Sequence, residues 1–229
     1  MTILAFAHSK GGVGKSTLCL LIASELARSG TRVLIIDADH LQQSCLQWTE
    51  RCRAANSLAA TLSTEPASKP DDLKRILKST KADIVLIDVQ GSMHDLLIAA
   101  IVASDLTLVP SKANVMEMIE TVKLFEWATI LKRAPLRLVL NRVDGIDTNT
   151  TAFRDAVRMI REHRLPALPT FVRARKIYEQ FTRDAGSLDH IARDPSKAEQ
   201  VVKARANILG LIADITAAID LPASKDGSE

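Results

Sequence analysis

Ser9-Lys10-Gly11-Gly12-Val13-Gly14-Lys15-Ser16-Thr17 is the stretch on which the reading of this chain turns. It follows a short apolar run, residues 3–7, and opens an amphipathic pattern over residues 16–29. A strand, a glycine turn and a helix in that order form the context that a phosphate-binding loop requires. Glycines let the backbone curl until successive N–H groups converge, and the start of the helix adds its partial positive charge. Gly11, Gly12, Val13 and Gly14 then form the cradle, with Thr17 at its far side. Lys15 reaches the β- and γ-phosphates, and the Ser16 hydroxyl ligates Mg²⁺. Two features depart from the general pattern. Ser9 stands where such loops carry their first glycine, and a second lysine, Lys10, precedes the glycine pair.

Outward from this loop the chain alternates short apolar runs with helical patterns, as repeated βαβ units do. Strands are expected at residues 3–7, 32–37, 84–88, 106–109, 136–141 and 167–171. Helices are expected at 16–29, 43–55, 71–79, 93–103, 115–131, 150–162 and 174–184, with a last one from Asp194-Pro195 to about residue 219. Nearly continuous apolar strands suit a sheet covered on both faces. The fold class is therefore α/β: a single three-layer P-loop domain with a mostly parallel twisted sheet. It spans residues 1–220, with a polar tail at 221–229. Residues 56–70 carry no readable pattern.

Composition narrows the function classes. Aromatic residues make up 3% of the chain, too few for a base-stacking single-strand binder. Cys19, Cys45 and Cys52 have neither metal-ligand spacing nor an even count, which suits buried small hydrophobes in a reducing cytosol. Residues 3–7 are too short for a signal peptide, and no run reaches the ~18–20 apolar residues of a membrane span. Residues 132–205 carry 16 Lys/Arg against 9 Asp/Glu, a footprint for a polyanion or simply a solvated helical surface.

Acids end two of the expected strands, where open α/β sheets bind ligands. Asp37 and Asp39 close the second, and Asp88 closes the hydrophobic run before Val89-Gln90-Gly91-Ser92. Asp88 has the setting of a carboxylate that holds a magnesium-bound water.

The loop KGGVGKST, with its early lysine, resembles the deviant phosphate loop of the MinD/ParA family of ATPases. The resemblance covers about residues 2–210 and is nearest to short ParA partition proteins without an N-terminal helix-turn-helix domain. It implies ATP and Mg²⁺ as cofactors and catalytic roles for Lys10, Lys15 and Asp39. Lys10 then acts across a dimer interface on the partner's nucleotide, and Asp39 positions the attacking water. Asp37 supports the magnesium shell alongside Ser16 and Asp88. His40 and Leu41 stand where the family usually has a proline-containing continuation. The run after Asp88 resembles that of short plasmid-partition ATPases and their conjugation-associated relatives, with Gly91 close to the γ-phosphate.

By the same resemblance Asn141 and Arg142 contact the base. Asn141-Arg142-Val143-Asp144 also resembles a guanine reader, but the rest of the chain points to adenine. Residues 172–183 (VRARKIYEQFTR) offer Arg173, Arg175, Lys176 and Arg183 to DNA phosphates, or else form a helix with solvated charges and aromatics packed inward. The implied protein is a cytoplasmic, nucleoid-associated ATPase that forms a homodimer with ATP, binds non-specific DNA and answers to a centromere-binding or other adaptor protein. Plasmid or other DNA is the expected cargo. A protein cluster or conjugation complex, or a scaffold with little hydrolysis, is the alternative. An iron–sulfur relative does not fit, because all three cysteines precede residue 53. No membrane partner is expected, since residues 208–219 lack the basic polar face of a membrane-binding helix.

Overall fold

Five short apolar runs and one polar run assemble one sheet in a computed structural model that describes residues 1–90, 95–131, 135–144, 149–184 and 186–220. The strands are β1 (Thr2–Phe6), β2 (Val33–Ala38), β3 (Leu62–Pro66), β4 (Ile84–Val89), β5 (Leu106–Ser111) and β6 (Leu136–Leu140). Their order is β3-β2-β4-β1-β5-β6, and every pairing is parallel. The helices are α1 (Lys15–Arg28), α2 (Ser44–Ala54), α3 (Pro70–Ser79), α4 (Asp95–Ala103), α5 (Val115–Thr129), α6 (Thr151–Glu162), α7 (Lys176–Arg183), α8 (Leu188–Ile191) and α9 (Ala198–Asp220). The expected start of α4 at Met93, the Gly91 position and the polar tail lie outside the described residues.

Strand alternation makes the three layers. Leu4 and Phe6 of β1 enter a core with α1, α2, α7, α8 and α9, while Ala5 enters another with α3, α4 and α5. A smaller cluster joins α5 and α6 beside β6 through Met118, Leu138 and Ala156. Trp48 of α2 stacks on Phe181 of α7, ring centroids 4.9 Å apart, and its indole N–H donates to the Phe181 carbonyl at 2.8 Å. Such a pair is worth about 0.5–1.5 kcal/mol beyond its area.

Two expectations are corrected. Residues 167–171 are not a strand. Beside β6 they form an isolated bridge at Leu138–Ala167, with Leu168 N donating to the Leu138 carbonyl at 2.9 Å. The ladder stops there because the next inward-facing N–H, that of Thr170, donates to Asp214 of α9 at 2.7 Å. The sixth strand is instead β3, inside the stretch that carried no readable pattern. It is an edge strand with Leu62 buried and mostly polar neighbours, so it lacks the apolar continuity of the inner strands.

Strand order also places the site. From β1 the chain crosses to β2 on one side, and from β4 it passes to β5 on the other, so the direction of winding reverses around β1. Open α/β sheets bind ligands at such a reversal, outside the carboxyl ends of the strands. Phe6 and Asp37 both lie level with Asp88, which brings the glycine loop and two acidic strand ends to one edge.

Candidate functional site

The glycine loop turns into α1 through Gly14, whose φ of 93° is left-handed. A side chain there would be strained, and its Cβ would lie 2.4 Å from Asn141 Nδ2. Gly12 shares the left-handed geometry at φ 78°. Lys15 begins α1 and is buried; its ammonium donates to the Lys10 carbonyl at 3.2 Å. Burial pushes the Lys15 pKa down, against the pull of Asp88 and Asp39. Around the loop lies a cleft of ≈ 670 Å³ lined by Gly11, Gly12, Gly14, Lys15, Ser16 and Thr17, with Asp39, Gln90 and Arg142 on its other walls. That volume suits a small-molecule ligand. Val13 is fully buried and presents its carbonyl to Asn141.

Lys10 behaves differently from Lys15. Its side chain is not part of the cleft lining and reaches the Met116 carbonyl in the first turn of α5 at 3.4 Å.

The three acids are held in three ways. Asp37 is buried and spends both oxygens on backbone, accepting from Asp39 N at 3.2 Å and from Leu46 N at 2.9 Å. It thereby fixes the loop and the first turn of α2. Asp39 lines the cleft and accepts from Leu41 N and Gln42 N through Oδ1. Asp88 is 1% exposed; Oδ2 accepts from the Cys45 thiol at 3.3 Å and Oδ1 has no partner. Burial pushes its carboxyl up to about 6, opposed by the nearby Ser16 hydroxyl. An orphaned buried oxygen beside a serine hydroxyl and a lysine fits a hydrated divalent cation, whose charge would hold the carboxylate ionised.

Asn141 is buried, and its amide donates to the Val13 carbonyl at 2.8 Å while its oxygen accepts from Arg142 N. It thus braces the glycine loop from β6. Arg142 takes a left-handed φ of 55° and lines both the cleft and a narrow slot of ≈ 70 Å³. That slot also receives Arg175 and Tyr178 from the basic segment. The four basic residues singled out there are therefore not one patch. Arg173 and Lys176 are exposed, with Arg173 stacked 5.0 Å over Phe171. Arg175 is half-buried in the slot, and Arg183 pairs with Asp184 at 2.9 Å. Ile177, Tyr178 and Phe181 pack inward.

Sequence reasoning passed over two residues. Cys45 reads as a buried small hydrophobe, yet its thiol contacts Asp88. His8 lies just past the expected first strand and carries no expected role, yet it is fully buried against the loop, with Nδ1 accepting from Lys10 N at 2.9 Å. A histidine two residues before the extra lysine is the only signal the sequence carries for that contact.

Comparison with known proteins follows the same lines. The family described as the CobQ/CobB/MinD/ParA nucleotide binding domain matches residues 4–185. Maintenance of carboxysome distribution protein A of Gloeobacter kilaueensis is 30% identical over 191 residues, which is 81% of this chain and 83% of that protein. Chromosome-partitioning ATPase Soj of Thermus thermophilus is 29% identical over 138 residues, 48% of this chain and 55% of that one. Among solved structures, the ATP complex of a Cyanothece McdA variant has a TM-score of 0.71 at 16% identity, covering 98% of this chain and 99% of that one. That likeness is one of fold. With the loop, the acidic strand ends and the strand order in place, the chain belongs to the CobQ/CobB/MinD/ParA family of nucleotide-binding domains.

Proposed function

We propose that the chain is an ATPase that dimerises around bound ATP, binds non-specific DNA and positions a plasmid or other DNA cargo through an adaptor protein. The observation that carries this reading is the division between the two lysines. Lys15 serves its own cleft, whereas Lys10 turns out of it toward α5. A lysine placed outside its own site suits action on a partner's nucleotide.

In this reading the loop N–H groups and Lys15 bind the phosphates. Ser16 and Asp88 hold Mg²⁺, with Asp37 behind them; when bound, the ion offsets charge on the phosphates. Asp39 orients the attacking water, and Lys10 of the partner subunit supports the charge that develops as the γ-phosphoryl group leaves. Arg142 and the slot beside it face the base. Exposed cations of residues 132–205 supply weak phosphate contacts that dimerisation doubles. Soj, a chromosome-partitioning ATPase by its name, supports DNA as cargo. The 30% identity with a carboxysome distribution protein favours a second reading, in which the cargo is a protein assembly.

Binding to an unrelated duplex is measured with ATP, ADP and no nucleotide, alongside phosphate release and sedimentation. The expected result is DNA binding and a dimer with ATP alone. Dimers without DNA binding favour the protein-cargo reading, and a monomer in ATP sinks the proposal.

A further inference from the structure

The buried imidazole of His8 joins the glycine loop to α5 at both of its nitrogens. Nδ1 accepts from the Lys10 backbone, so it carries no proton and Nε2–H is the donor. Nε2 lies 3.2 Å from Thr121 Oγ1 in α5. The Thr121 hydroxyl in turn has two acceptors at 2.9 Å, Ser111 Oγ at the end of β5 and the Glu117 carbonyl one turn earlier in α5. The Lys10 ammonium meets the same helix at Met116. Main chain and side chain of Lys10 are thus both referred to α5, one through His8 and the other directly. A flexible lysine in a glycine-rich loop gains direction only if its backbone is held.

We propose that His8 is a positioning residue for Lys10, fixing the loop backbone against α5 through Thr121 so that the Lys10 side chain leaves its own cleft toward a partner subunit. The positioning itself is independent of the proposed activity; its catalytic consequence rests on that reading.

Both halves are tested together. Amide hydrogen exchange of the nucleotide-free protein reads the backbone contact. His8→Ala speeds exchange at Lys10 at least tenfold, whereas His8→Asn, whose side-chain oxygen can accept the same N–H, keeps most of the protection. Phosphate release and ATP affinity read the consequence. His8→Ala leaves the ATP dissociation constant within about threefold and lowers turnover at least tenfold. The double variant with Lys10→Ala is no slower than Lys10→Ala alone, as residues acting through one another require. Thr121→Val gives a smaller loss in the same direction. Recovery by His8→Asn separates positioning from a general loss of packing, with thermal unfolding as the check on folding. Unchanged Lys10 exchange in His8→Ala overturns the inference. So does parental turnover in His8→Ala while Lys10→Ala is impaired. Parental turnover in Lys10→Ala overturns the proposed activity instead, and the exchange result then decides the positioning alone.

Discussion

At the scale of single residues, the proposed function predicts that binding and chemistry separate between Lys15 and Asp39. Lys15→Ala removes the buried cation of the cleft, and ATP affinity falls at least 100-fold by calorimetry; an unchanged value would remove the loop from the binding site. Asp39→Ala leaves affinity within a few-fold and slows single-turnover hydrolysis by two orders of magnitude or more, a loss in the range of one general-base contribution. Parental hydrolysis in that variant would move the role elsewhere. Cys45→Ala is not a neutral control, since the thiol holds one oxygen of Asp88. His8 makes stability depend on pH. Burial first, then Lys15 and Lys10 on the loop, push its pKa from 6.5 to about 4, against Glu117 and Glu120 of α5. Between those values the unfolded chain binds more protons than the folded one, so stability rises with pH and is fully present above 6.5. Folding therefore loses about 3 kcal/mol as pH falls from 7 to 4 through this group alone. Urea unfolding of His8→Asn has a flatter pH profile across that window, and identical slopes in parent and variant would exclude His8 as the source.

At the scale of elements, the long helix α9 is tied to α1 by charge as well as by apolar packing. Arg205 Nε donates to both oxygens of Glu25, at 3.0 and 2.9 Å, and Nη2 reaches Asp189 of α8 at 2.7 Å. The side chains of Arg205 and Glu25 are 18% and 2% exposed. Arg205 therefore belongs to the helical layer and is not a free cation for DNA. Arg205→Ala leaves Glu25 buried without its partner and costs about 3 kcal/mol in urea unfolding. Burial already pushes the Glu25 pKa up. Without the arginine it rises further, the folded state takes up a proton, and the penalty is smaller at pH 5 than at pH 8. A loss under about 0.5 kcal/mol at both pH values would show that packing alone holds α9. The basic segment ahead of α7 divides in the same way, since Arg175 enters the slot beside Arg142 while Arg173 and Lys176 stay in solvent.

At the scale of the molecule, that division selects the variant that tests DNA binding. Arg173→Ala with Lys176→Ala removes two exposed charges per subunit, four per dimer, and leaves the slot intact. ATP-dependent dimers persist in sedimentation. The slope of log affinity against log salt becomes shallower by about 0.9 for each DNA phosphate that is no longer neutralised. An unchanged slope would put the DNA surface on other cations, half-buried Lys197 and exposed Lys203 among them. Sequence by itself determined what depends on neighbours along the chain. The glycine loop, the apolar strands and the acids at their ends were legible because loop curvature, two-sided burial and strand termination are written into local residue types. Even the central strands of the sheet could be read this way. The tertiary structure alone decided what depends on residues far apart. Edge strand β3 is polar on its own and gains strand character only from β2 beside it. The expected last strand is reduced to an isolated bridge, because Asp214 of the distant helix α9 takes the Thr170 N–H that would have extended the ladder to β6. Asn141 is a brace for the loop because β6 lies against Val13, and His8 meets Lys10 and Thr121 because β1, β5 and α5 converge beside the loop. A local pattern specifies which backbone a segment prefers. Which side chains meet across more than 100 residues is fixed only when the sheet order brings the strand ends together.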